Sequence, residues 1–240
     1  MRKSVVIAAF MAGCLAASPA AATVSINFEN IATYGANSGI EVLNFYNGGT
    51  ASNGHTGTNL GVSFASNALT LCLNTPGTHC SGSSRGGLGD PASAFTAMFF
   101  TSGTSTSLTD SAGFTSGISF FYVANENPGL VQIFDGVNGS GNLLASLALP
   151  TNAVSCGAPF SALFCPFAFQ SLTFSGTGRS VVFGGTANQL VIDDIVLGFS
   201  PLPEPATWAM MLAGFGAVGA ALRRRRRQNA TAYAGRFVSP

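Results

Sequence analysis

Between residues 23 and 200 the chain contains no lysine and no tryptophan, and its only cations are Arg85 and Arg179. Eight acids share that stretch: Glu29, Glu41, Asp90, Asp110, Glu126, Asp135, Asp193 and Asp194. Its net charge is therefore −6, which the whole-chain value of +1 hides because the other basic residues sit at the two ends. Two arginines against eight acids leave little to neutralise phosphate, which argues against nucleic acid as a partner. Histidine is scarce as well. His55 and His79 are the only two, and both fall in Gly/Ser/Thr-rich segments, leaving little from which to build a general base. Charged residues make up 8% of the chain, against about a quarter in an average domain. A helical period is also missing from residues 23–200.

What this stretch does contain is a series of short apolar runs: "TVSINF", "GVSFA", "ALTLCL", "AFTAMFF", "GISFFYVA", "LVQIFDG", "NLLASLAL", "FQSLTF", "SVVFGG" and "LVIDDIVLGF". Gly, Asn, Ser and Pro clusters separate them. A disordered chain does not repeat aromatic and β-branched runs in this way. Many short strands with turn residues between them predict an all-β sandwich or barrel. The stretch is one domain by length, large enough to bury a core. "VNGSGN", Val137–Asn142, reads as a hairpin turn. "NGGTASNGHTGTN" and "SGSSRGGLGDP" read as loops.

Both ends differ from this middle. "MRK" is followed by an uncharged run from Val5 to Ala17, and small residues at Ala20 and Ala22 precede Thr23. Residues 1–22 are thus expected to be a secretory signal peptide. At the other end stands "PLPEPATWAMMLAGFGAVGAALRRRRR", Pro201–Arg227. Its apolar part, Trp208–Leu222, would span roughly 23 Å as a helix, less than the bilayer core. The cluster Arg223, Arg224, Arg225, Arg226 and Arg227 cannot be packed inside a domain, but it anchors well on the cytoplasmic side of a membrane. Trp208 at the opposite edge suits the interfacial aromatic belt.

A Pro-Glu-Pro motif, an apolar helix and an arginine cluster behind a signal peptide resemble the PEP-CTERM sorting tail of Gram-negative bacteria. Pro203, Glu204, Pro205, Trp208 and Ala209 are similar to its PEPxxWA variant. The same tail is also labelled an ice-binding protein C-terminal domain, a label that implies no ice binding. The resemblance implies processing by exosortase, a membrane cysteine transpeptidase, and an association with exopolysaccharide and biofilm. It implies a transient stay in the inner membrane, then the cell envelope, cell surface or extracellular matrix. Residues 228–240 extend past the point where such tails usually stop. More distantly, "INFEN", "FYNGGTASNG", "VQIFDGVNGSGNLLASLAL" and "VIDDIVL" resemble the jelly-roll ectodomains common among PEP-CTERM proteins, which implies a jelly-roll-like β-sandwich over residues 23–200.

Chemistry-bearing residues are few. Cys14 leaves with the signal peptide, and four cysteines remain. Proximity in sequence favours the disulfides Cys72–Cys80 and Cys156–Cys165, each worth about 2.6 kcal/mol in the chain-entropy model. The rival is a metal site at Cys72, His79 and Cys80, which lacks a fourth ligand. "GSSRG" matches the nucleophile-elbow pattern at Ser84, but no helix pattern follows it and both histidines precede it. Glu126 and Asp135 flank a presumed turn and could approach as a carboxylate pair. Asp193 and Asp194 are strand neighbours, expected to point to opposite faces.

Jelly-roll binding modules often hold calcium between their first and last strands. By that analogy Glu29 with Asp193 or Asp194 would supply hard oxygen ligands. The phenylalanines are expected in the core rather than on a sugar-binding platform. The expectation is a non-enzymatic exported surface or matrix protein, with no cofactor beyond a structural calcium ion. Its partners are exosortase, the membrane and exopolysaccharide. A calcium-dependent carbohydrate-binding module is the alternative, and a glycosidase or other hydrolase the weaker one.

Overall fold

The computed structural model describes residues 23–33, 36, 38–73, 93, 95–154, 166–199 and 211–224. The expected signal peptide, His79, Cys80, Ser84, Cys156, Cys165, the sorting motif at 203–209, Arg225 to Arg227 and the extension at 228–240 lie outside them. The chain divides into two units, Met1–Phe199 and Ser200–Pro240.

Eleven strands form among the described residues of the first unit. They are β1 (Val24–Ile26), β2 (Val62–Phe64), β3 (Leu69–Cys72), β4 (Thr96–Phe99), β5 (Ser105–Phe114), β6 (Gly117–Ala124), β7 (Gly129–Phe134), β8 (Leu143–Leu149), β9 (Ala168–Thr173), β10 (Gly178–Gly184) and β11 (Leu190–Leu197). Ten of them fall on the apolar runs. Branched and aromatic side chains favour the pleated, half-buried surface of a strand. β7 shows this plainly, its residues alternating between buried and half-buried.

The strands pair antiparallel in two sheets. One has the order β3-β4-β11-β6-β9, with β1 added on β11; the other has the order β2-β5-β10-β7-β8. From β4 to β11 the chain crosses between sheets at every connection except β7 to β8. Successive strands thus face each other across the core. Ile118, Phe120 and Tyr122 of β6 and Ile192, Ile195 and Leu197 of β11 point inward from one sheet. Val131 and Ile133 of β7 and Val181 and Phe183 of β10 meet them from the other. Phe120 and Phe183 pack edge to face at 6.1 Å, the geometry ring quadrupoles favour. Val191, Phe99, Ala97, Leu71 and Leu73 form a second buried cluster, which alternation places on the outer side of the larger sheet.

β5 is the strand that the apolar runs omit. Its sequence, "STSLTDSAGF", is mostly polar. Yet it lies between β2 and β10 and buries Thr106, Leu108, Asp110 and Phe114. Asp110 turns its carboxylate to the strand's own backbone, accepting from Ala112 N at 3.0 Å and Gly113 N at 3.1 Å.

The turn after β7 is latched by Asp135. Its carboxylate accepts from Asn142 N at 2.6 Å and from Asn142 Nδ2 at 2.8 Å. These bonds hold the Asp135 carboxyl below the usual carboxylate range. Gly141 is required there, because it has φ +84° and a Cβ would meet Asp135 Oδ1. Glu126 and Asp135 do not approach as a catalytic pair. They stand before and after β7, whose rise of about 3.3 Å per residue carries them apart.

In the second unit, a helix covers residues 211–224. It begins within the expected apolar segment and takes in Arg223 and Arg224 at its C-terminal end, where cations complement the helix dipole. Met211, Leu212, Phe215, Val218 and Leu222 are exposed on it. At about 1.5 Å per residue it spans about 21 Å. No helix among the described residues is long and apolar enough to cross a membrane.

Candidate functional site

The site grows from a seam along β11. One edge of β11 pairs with β6 along its length. The other edge is shared by two short strands placed end to end. β4 pairs with Val191 and Ile192, and β1 pairs with Ile195, Val196 and Leu197. Asp193 and Asp194 occupy the gap between them. Here the strand bulges: its register against β6 shifts between Asp193 and Val196, and Asp194 adopts φ +46°. A bulge inserts an extra residue and breaks strict alternation. Core residues Ile192 and Ile195 therefore flank two consecutive acids, where a regular strand would place one residue, or three, between core positions. Asp193 is fully buried, its Oδ1 accepting from Asp194 N at 2.8 Å.

Glu29 closes the seam. Its Oε1 accepts from Ser93 Oγ at 3.0 Å, from Phe95 N at 2.8 Å and from Thr96 N at 3.1 Å. The single Ser93 hydroxyl proton is shared between this carboxylate and Asn27 O, which lies 2.8 Å from Ser93 Oγ. One carboxylate thus ties the chain leaving β1 to the chain entering β4. Phe28 and Asn30, on either side of Glu29, have φ +55° and +64°, conformations that L residues rarely adopt. Phe28 is held by its ring, which is wholly buried and packs against Tyr46 at 6.2 Å and Phe64 at 5.6 Å. Burial raises the pKa of the Tyr46 hydroxyl far above the ordinary phenol range, and the charges of Asp193 and Glu29 add to the rise, against a lowering by the Phe28 backbone.

Two hollows flank β1, and Ser25 and Asn27 line both. The first, of about 540 Å³, is bounded by Glu29, Asn30, Phe45, Tyr46, Thr56 and Thr58. The second, of about 420 Å³, is a trough on the outer face of the larger sheet, and Asp194 lines it with Ser119, Phe121, Phe169 and Val196. Its floor is a row of small side chains in register: Ser25 opposite Val196, and Val196 opposite Ser119. The row continues to Ser171 on the edge strand β9. Beside it stand Phe121 and Phe169, opposite each other on β6 and β9. Phe169 meets Phe121 at 5.5 Å and Phe199 at 6.3 Å, both edge to face. Phe169 is 51% exposed, an exception to the expectation that the phenylalanines belong to the core, which Phe28, Phe100, Phe120 and Phe183 meet. The sequence carried a signal for this. In "AFQSLT", Phe169 shares its alternation with Ser171 and Thr173, so all three face outward.

Of the remaining expected residues, His55 is exposed. Cys72 ends β3, buried and disulfide-bonded. The other cysteines lie outside the described residues, and so does the pairing. Arg223 and Arg224 lie in the C-terminal helix.

Residues 201–227 match the family model of the PEP-CTERM protein-sorting motif. The tail is a PEP-CTERM sorting signal. A PEP-CTERM tail implies export, handling by exosortase and membrane attachment at the C-terminus. The match is confined to the tail. No curated protein matches the chain. Among solved structures, the K2 cleaved adhesin domain of Lys-gingipain is similar at 12% identity and TM-score 0.40, over 73% of this chain and 99% of that one. A carbohydrate-binding module of Cellvibrio mixtus lichenase 5A, solved with cellotriose, is similar at 11% identity and TM-score 0.32, over 55% of this chain and 96% of that one. Both likenesses are too distant to carry function to a PEP-CTERM ectodomain.

Proposed function

We propose that this chain is a non-enzymatic exported protein of a Gram-negative envelope, released or transferred by exosortase to the cell surface or the exopolysaccharide matrix, where its role is structural. The PEP-CTERM tail at 201–227 carries this reading. Proline lacks a backbone N–H and restricts the residue before it, so Pro203 and Pro205 make the motif a poor helix former by sequence. The arginines resist translocation and hold the tail inside until cleavage. Glu126 and Asp135 stand at opposite ends of β7, which gives the hydrolase alternative no support from that pair. The repeated crossing between sheets from β4 to β11 supports a jelly-roll-like ectodomain.

The test is C-terminal mass spectrometry of the mature protein from a strain with active exosortase. The wild type is expected to end near Pro203–Pro205. Alanine at Pro203, Glu204 and Pro205 together is expected to leave the tail intact and the protein in the membrane fraction. A wild-type protein ending at Pro240 overturns processing.

Two structural features belong to the same proposal. Cys72–Cys80 and Cys156–Cys165 are disulfides of the exported form. Non-reducing peptide mapping is expected to recover both linked pairs, and free thiols at all four positions would rule them out. A calcium ion at the β1–β11 seam is the second. Glu29, Asp193 and the Tyr46 hydroxyl offer hard oxygen donors, with left-handed backbone at Phe28 and Asn30 beside them. Among the described residues no group of three or more His, Cys, Asp or Glu converges, so backbone carbonyls and water would complete the shell. Chelation with EDTA is expected to lower the melting temperature, and the double variant Glu29→Gln, Asp193→Asn is expected to lose that response. Identical melts with and without EDTA dispose of the ion.

A further inference from the structure

We propose that the trough over β1, β11, β6 and β9 binds a neutral hexopyranose polymer, with one sugar ring stacked on Phe169. This deepens the matrix reading and rests on it for where the ligand is met.

The first support is the platform. A sugar ring presents a face of C–H bonds, which packs on the negative face of an aromatic ring. Phe169 is half exposed on an edge strand. Phe121 and Phe199 hold it by edge-to-face contacts, so its orientation is fixed before a ligand arrives, and little rotamer entropy is lost on binding.

The second support is the floor. Ser25, Val196, Ser119 and Ser171 lie in register across four adjacent strands. Their small side chains leave room above the sheet, and the exposed Ser25 and Ser171 offer hydroxyls at the two ends of the row, with the buried Ser119 between them. The step between strands, about 4.8 Å, is close to the length of one hexopyranose unit, so a polymer crossing the four strands meets an exposed hydroxyl at each end of the row. Asn27 lines the trough beside this row and supplies an amide for sugar hydroxyls. A volume of about 420 Å³ is within the range of small-ligand sites.

The third support is charge, which selects among polymers. Among the described residues, those lining the trough include one carboxylate and no cation. Residues 23–200 carry eight acids against two arginines. A uronate or sulfated chain is repelled by the domain as a whole. A neutral polyol is the chemistry that fits.

Native gels containing soluble β-glucan, dextran or galactomannan test this on the exported protein, with polygalacturonate as the anionic comparison. At least one neutral polymer is expected to retard the wild type, and polygalacturonate is expected not to. Phe169→Ala is expected to weaken retardation about tenfold, while Phe169→Tyr keeps it. Leu143→Ala removes an equally exposed side chain from β8 in the other sheet and is expected to change nothing. Thermal melts of the three variants check that each is folded. Retardation by none of the three neutral polymers, or full retardation of Phe169→Ala, overturns the inference. So does a Phe169-dependent dimer in sedimentation, which would assign the trough to a second copy of the chain. The C-terminus is mapped on the same sample. A correctly cut protein that binds no polymer overturns the inference alone, whereas an uncut protein that binds overturns the sorting proposal alone.

Discussion

Glu29→Ala is expected to destabilise the β-sandwich by about 3 kcal/mol. Hydrogen bonds to a charged acceptor contribute about 1.5–3 kcal/mol each. Glu29 Oε1 accepts three of them, from Ser93 Oγ, Phe95 N and Thr96 N. Their sum is discounted because Glu29 is half-buried and water replaces part of what is lost. In a domain of this size about 3 kcal/mol corresponds to a fall of about 6–12 °C in melting temperature. Glu29→Gln keeps an acceptor oxygen at the same place and is expected to lose about 1 kcal/mol. The two variants therefore separate the seam-closing role from any role in cation binding. If the Glu29→Gln loss vanishes in EDTA, it came from the ion; if it persists, it came from the seam. A Glu29→Ala protein that melts within 2 °C of the wild type would show that the seam closes without this side chain.

Phe28→Ala is expected to destabilise by about 4 kcal/mol, within the range for a fully buried phenylalanine truncated in a core. The ring is wholly buried and touches Tyr46 and Phe64, so its removal opens a cavity between β1, the turn at Phe45–Asn47 and β2. Phe28 also holds φ +55°, a conformation that disfavours every residue with a Cβ by about 1–2 kcal/mol. Phe28→Gly is therefore expected to be more stable than Phe28→Ala by about 1 kcal/mol, although it removes one more carbon. At an ordinary strand position glycine is the worse of the two. Chemical denaturation of both variants decides this. The reverse order would mean that the loop relaxes once the ring is gone.

The trough was less visible in the sequence than the strands that build it. Phe169, Phe121 and Phe199 are three of twenty phenylalanines, and each sits in or beside an apolar run. What sets them apart is which face of the sheet they occupy and which strand lies at its edge. The seam was partly legible. Glu29, Asp193 and Asp194 are legible as acids near the first and last strands, and the structure places Glu29 on the chain leaving β1 and both aspartates on the bulge of β11. It also puts Asp194 into a neighbouring hollow, because the bulge in β11 breaks the alternation on which a sequence-based assignment of faces depends.

By itself, the sequence determined the all-β class, through apolar runs of strand length separated by turn residues. It determined the destination as well, because the PEP-CTERM tail is a contiguous signal whose meaning lies in local order: prolines, then an apolar segment, then arginines. The argument against nucleic acid rests on composition alone. The tertiary structure decided the rest. β5 is a strand only because β2 and β10 pair with its backbone on both sides, which lets Thr106 and Asp110 be buried in a run too polar to stand out as a strand. Glu126 and Asp135 are separated only because the residues between them extend as β7. The seam and the trough exist only because β1 and β4 share one edge of β11 while β6 and β9 continue the sheet beyond its other edge. Each of these depends on hydrogen bonds between residues tens of positions apart, and no local pattern records such pairings.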